Sequence, residues 1–151
     1  MGLDFYVYWS KKGAESEHDW KDNRIAYGRK CWELVRALNC DCNLEQPQEV
    51  KLEDWNRLIK KIDEIAYKFP LFTEAADVLY WDDASYTREQ EENCYHIFEE
   101  FIDWHEKTFD ESPTLGFDFA LGYIRTFYEA DKAAQKVFAD PDKIVYMEAS
   151  Y

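Results

Sequence analysis

His105 and Glu106 stand together in an apolar-periodic stretch, as in the helix of a zinc protease. The second imidazole of such a site would fall four residues on, where the chain has Phe109. His96 follows Cys94 by two residues, a spacing that turns the side chains to different faces of a helix and argues against joint metal ligation. A helical di-iron site wants a Glu three residues before a His, and those positions hold Asn93 and Ile102. Pro141, Asp142 and Glu148 match part of a metal-dependent nuclease core, yet Ser150 occupies the place of its lysine. Gly2, Gly13, Gly28, Gly116 and Gly122 are scattered and form neither a phosphate loop nor a dinucleotide fingerprint. With three histidines and no elbow-like serine motif, a nucleophile triad has no supporting pattern. The expectation is a non-enzymatic protein with no assigned catalytic residue, metal or cofactor. The spacing Cys40-Asp41-Cys42 is awkward for a bridge, and Cys31 and Cys94 lie in helical patterns, so all four cysteines read as reduced thiols.

Charge carries more information. The chain has a net charge of −14, which excludes a phosphate-neutralising nucleic-acid binder and disfavours an anionic membrane surface. Its expected partners are basic. Residues 74–111 hold thirteen acids against Arg88 and Lys107 alone, so most of the excess sits in one quarter of the chain. On the helix expected there, like charges meet at 89/92, 99/103, 100/103, 103/106 and 106/110. At about 0.2–0.5 kcal/mol each, those pairs cost roughly 1–2.5 kcal/mol, tolerable within a stability of about 5–15 kcal/mol but enough to suggest a use. Asp82, Asp83, Glu92, Glu99, Glu100, Asp103, Glu106 and Asp110 are the candidate partner-binding acids. Trp20, Tyr86 and Trp104 are candidate exposed anchors in a chain that is 18% aromatic, Trp104 being assigned to the binding face.

The elements that must position these residues follow from periodicity. Asp4–Trp9 alternates as a strand, with Phe5, Val7 and Trp9 on one face and Tyr6 and Tyr8 on the other. Residues 10–23 show no periodic face and read as a long loop. Tyr27, Cys31, Leu34, Val35 and Leu38 predict a first helix from Arg24, stopped at Asn39. Leu52 to Phe69 forms a second stripe running until Pro70, and Ala75–Trp81 a third helix with Thr73 as N-cap. Thr87 and Gln90 have capping-box spacing before a long helix bearing Cys94, Ile97, Phe98, Phe101, Ile102, His105 and Phe109. Phe117 to Phe138 is a fifth stripe, ended by Asp140-Pro141, and Lys143–Tyr151 returns to alternation. A lone strand is unstable in water, so the two terminal strands are expected to pair. The predicted fold is α+β, one domain over 1–151, with about five helices packed on a small terminal-strand sheet. No apolar run is long enough to span a membrane, and the first residues lack a signal-peptide core and a myristoylation pattern; the cytoplasm is the expected compartment.

Met1-Gly2-Leu3-Asp4-Phe5-Tyr6-Val7 and Tyr146-Met147-Glu148-Ala149-Ser150-Tyr151 together resemble the ends of a family of small phage and prophage proteins. Those proteins begin Met-Gly-Leu-Asp-Met-Tyr-Leu and close on a strand reading roughly Tyr-Gln-Ala/Ser-Ser-Trp. Tyr27-Gly28-Arg29-Lys30 is similar to the family's Tyr-Trp-Arg-Lys. Where this chain has Phe5, Gly28 and Glu148, the family more often has Met, Trp and Gln, the pattern of a divergent member. The resemblance implies an accessory gene of a phage or related mobile element and supplies no catalytic residues. Together with the charge, it suggests an inhibitor of a basic, nucleic-acid-handling host defence protein, such as a CRISPR effector or restriction enzyme, acting in the host cytoplasm through a nucleic-acid-mimicking face. Two alternatives stand beside it: a protein–protein adaptor or assembly component working through aromatic patches, and a small hydrolase or nucleotide-binding protein built from dispersed residues.

Overall fold

The computed structural model describes residues 2–13, 22–80 and 87–150. Asp4–Lys11 is β1, Arg24–Arg29 β2, Gln48–Glu49 β3 and Lys143–Ser150 β4. Trp32–Ala37 is α1, Leu52–Ala66 α2, Phe69–Tyr80 α3, Arg88–Phe109 α4 and Phe117–Phe138 α5. The sheet has the order β2-β1-β4-β3, and every neighbouring pair is antiparallel. The fold is therefore α+β, with the two terminal strands paired along their whole length from Asp4↔Ser150 to Lys11↔Lys143. That pairing satisfies the backbone groups each strand would otherwise expose.

Four expectations are corrected. Arg24–Arg29 is a strand, not the first turns of a helix, because β1 has two edges and the second is covered by β2. The helix that follows is short, and Asn39, at φ 58°, ends it as expected for a residue that tolerates the left-handed region. Thr73 is not an N-cap. The helix already begins at Phe69 with Pro70 in its first turn, where the missing N–H is no loss, and the Thr73 hydroxyl donates back to the Phe69 carbonyl at 2.9 Å. The apolar stripe starting at Leu52 thus belongs to two helices, α2 and the first turn of α3. The expected loop also shortens: Ser10 and Lys11 lie in β1, while 14–21 fall outside the described residues.

One face of the sheet is buried through Phe5, Val7, Ala26, Val145, Met147 and Ala149. Phe5 and Gly28 are cross-strand partners. A Cβ on Gly28 would meet the Phe5 ring at 2.3 Å (Cζ) and 2.5 Å (Cε1), so the aromatic ring occupies the space the glycine leaves. Phe5 is fully buried and packs on Phe127 of α5 at 5.9 Å, so its ring has little room to withdraw. Gly28→Ala is expected to lower stability by about 1–3 kcal/mol through overpacking. The urea unfolding midpoint measures this, and the double variant with Phe5→Leu should recover part of the loss.

Candidate functional site

The acidic helix α4 begins where its sequence says it should. Gln90 N–H donates to the Thr87 hydroxyl at 3.2 Å, and Thr87 N–H donates to the Gln90 side-chain oxygen at 2.7 Å, a closed capping box. The helix ends at Asp110, φ 58°, a left-handed residue of a type that accepts that conformation. Between these ends Cys94, Phe101 and His105 are buried. Glu92, Glu99, Asp103, Glu106 and Asp110 are exposed on the opposite side. Their separations of seven, four, three and four residues keep them on one strip of a helix with 3.6 residues per turn.

Basic groups neutralise little of this row. Glu100 stands off to its flank and pairs with Lys68 from the turn before α3. Arg88 reaches Glu92 at 3.3 Å, with both side chains largely in water, where such pairs contribute about 0–1 kcal/mol. His96 lies 4.0 Å from Glu99. Glu106 accepts a hydrogen bond from Ser112 Oγ at 2.6 Å. Among the described residues, no ion pair or side-chain hydrogen bond engages the carboxylates of Asp103 and Asp110. Five of the eight candidate acids therefore form the row, Glu100 flanks it, and Asp82 and Asp83 lie outside the described residues, as do Trp20 and Tyr86. Trp104 is not the exposed anchor expected of it. It is half-buried against the core, tilted on Phe101 at 6.0 Å and edge-on to Phe109 at 5.8 Å.

Two unforeseen contacts hold the C-terminal end of the row in place. His105 is completely buried, and its Nε2 lies 3.0 Å from Oε1 of Glu33, itself only 4% exposed. Its Nδ1 lies 2.7 Å from the Glu111 carbonyl. A carbonyl can only accept, so Nδ1 donates to it, while Nε2 faces the Glu33 carboxyl. Arg36, one helical turn from Glu33, pairs with the Glu111 side chain. Both contacts tie α1 to the end of α4. Nothing local in the sequence marks Glu33, which reads as an ordinary first-turn acid.

None of the four cysteines forms a disulfide; all are buried. Burial pushes the Cys31 thiol up, and raises Cys40 to about 11, away from reactive thiolate character. Tyr27, raised to about 12 by burial and by its hydrogen bond to Asp4, donates to that carboxylate at 2.8 Å. Among the described residues no three His, Cys, Asp or Glu side chains group as a metal site, and no helix is long and apolar enough to cross a membrane. No protein-family model, curated protein or solved structure matches the chain.

Proposed function

We propose that this protein is a non-enzymatic binding protein that sets the acid row of α4 against a basic surface of a nucleic-acid-handling partner. The supporting observation is the row itself: five exposed carboxylates on one helix face with almost no basic compensation. The phage setting implied by the family resemblance makes a host defence protein the class of target, in the host cytoplasm.

Magnitudes decide how such a row would work. From Glu92 to Asp110 the helix rises about 27 Å. Four intervals across that length put carboxylates roughly 7 Å apart, whereas one DNA strand carries a phosphate about every 3.4 Å. At about half that linear charge density, the row steers and orients a basic partner but supplies less attraction than the nucleic acid it would displace. Apolar contact must therefore add to affinity.

Capture of the partner from host lysate should fall steeply as salt rises and when duplex DNA is added as competitor. The variant carrying Glu92→Gln, Glu99→Gln, Asp103→Asn, Glu106→Gln and Asp110→Asn is expected to bind at least about tenfold more weakly, equivalent to about 1.4 kcal/mol. Capture insensitive to salt and to these substitutions would reject the charge mechanism and favour an adaptor working through exposed apolar residues such as Tyr67, Tyr95 and Phe119.

A further inference from the structure

On the face of α4 turned away from the acid row, α3 and α4 enclose a trough of about 380 Å³. Its walls are Leu71, Glu74, Ala75 and Val78 from α3 and Gln90, Asn93, Cys94 and Ile97 from α4. Each set has the spacing i, i+3, i+4, i+7, so two turns of each helix, about 10 Å, line the trough lengthwise. Lys68 pairs with Glu100 at one end, while Glu74 and Cys94 meet in the middle, so the two helices run antiparallel and the groove follows their axes.

We propose that this trough is the seat of a basic amphipathic helix of the partner, whose apolar stripe lies between α3 and α4 while its cations face the surrounding carboxylates. The inference rests on the reading of α4 as a contact face and names the partner's chemistry. The floor is apolar, formed by Ala75, Val78, Cys94 and Ile97, with Leu71 more than half exposed at the rim. The border is acidic: Glu74 lies in the wall, and Glu89, four residues before Asn93, stands on the flank of α4 beside it, as does Glu100, which pairs with Lys68. Beyond burial itself, the Glu74 and Glu91 carboxylates push the Cys94 thiol up. A helix presenting anchors at i, i+3, i+4 and i+7 fits a groove two turns long. A second copy of this chain does not suit it, because it would bring a net charge of −14 against the same sign.

Three synthetic peptides and fluorescence anisotropy test the proposal. One is a lysine-rich helix with leucines at i, i+3, i+4 and i+7; the second has the same composition with the leucines scrambled; the third replaces its lysines by glutamates. The first is expected to bind at least tenfold more tightly than either of the others. Leu71→Ala, at an exposed position that leaves folding intact, should weaken the first peptide several-fold and leave the scrambled one unchanged, whereas Glu74→Gln combined with Glu89→Gln should weaken both lysine-rich peptides. Equal binding of the ordered and scrambled lysine peptides overturns the groove and leaves the charged face standing. Equal binding of the acidic amphipathic peptide overturns a basic occupant. No binding of either lysine peptide removes both readings, and a concentration-dependent dimer abolished by Leu71→Ala would make a second copy the occupant and overturn the proposal.

Discussion

His105→Ala is expected to destabilise the protein by about 3–5 kcal/mol, the penalty for stranding the buried Glu33 carboxyl without its partner. Glu33 is left in the core with its carboxylate facing a void, and the Glu111 carbonyl loses its donor. Against a typical stability of about 5–15 kcal/mol this is a large share, and for a chain of this length it corresponds to a fall of about 6–20 °C in Tm. The companion variants rank by what they leave unpaired. Glu33→Ala removes the partner of Nε2 but leaves Nδ1 donating to the Glu111 carbonyl, so it should cost less than His105→Ala. Glu33→Gln keeps an oxygen in reach of Nε2 and should cost about 1 kcal/mol. Replacing both residues by leucine removes the charge together with its partner and should recover most of the loss. Thermal unfolding of the four variants gives the order directly; His105→Ala behaving like a surface substitution would show that the pair does not hold the fold. Because the pair fastens α1 to α4 beside Asp103, Glu106 and Asp110, the same loss should loosen the end of the acid row before the capped end.

That network also marks the boundary of what a single sequence discloses. The acid row was legible because it obeys a local rule: carboxylates three, four and seven residues apart share a helix face, and the capping box at Thr87 and Gln90 sets where the helix starts. Glu33 and His105 are 72 residues apart, and no periodicity connects them. The misreading of Arg24–Arg29 has a similar origin. Tyr27, Cys31, Leu34, Val35 and Leu38 do fall at helical spacing, but Ala26 and Gly28 are also alternate small residues. They can lie under the sheet beside Val7 and Phe5, and the unfilled edge of β1 decided between the two. Pro70 shows the reverse error: read as a terminator, it sits in a first turn, where proline is compatible with starting a helix. The terminal-strand pairing was legible because a lone strand has no stable alternative. The trough was not, because it depends on which faces of α3 and α4 meet.

Phe117→Ala is expected to cost about 3–5 kcal/mol, and it tests what holds those two helices in place. Phe117 is nearly fully buried and receives Phe101 at 5.0 Å, Phe98 at 5.3 Å and Phe72 at 6.1 Å, all close to edge-on. One ring from α5 therefore joins α3 to α4, the walls of the trough and the helix of the acid row. It also sets the start of α5, whose N-cap Gly116 supplies no side-chain hydrogen bond, so burial of Phe117 replaces a cap. Phe117→Leu retains most of the apolar volume without the edge-to-face geometry and should cost less than the alanine. A double-mutant cycle with Phe101→Leu isolates the aromatic coupling, expected at about 0.5–1.5 kcal/mol. If Phe117→Ala lowers stability but leaves binding of the leucine-ordered lysine peptide unchanged under folding conditions, the trough is set by α3 and α4 alone. If binding falls with it while the capping box still holds the start of α4, α5 is part of the recognition surface without touching the ligand, since the spacing of the groove walls is then set from beneath.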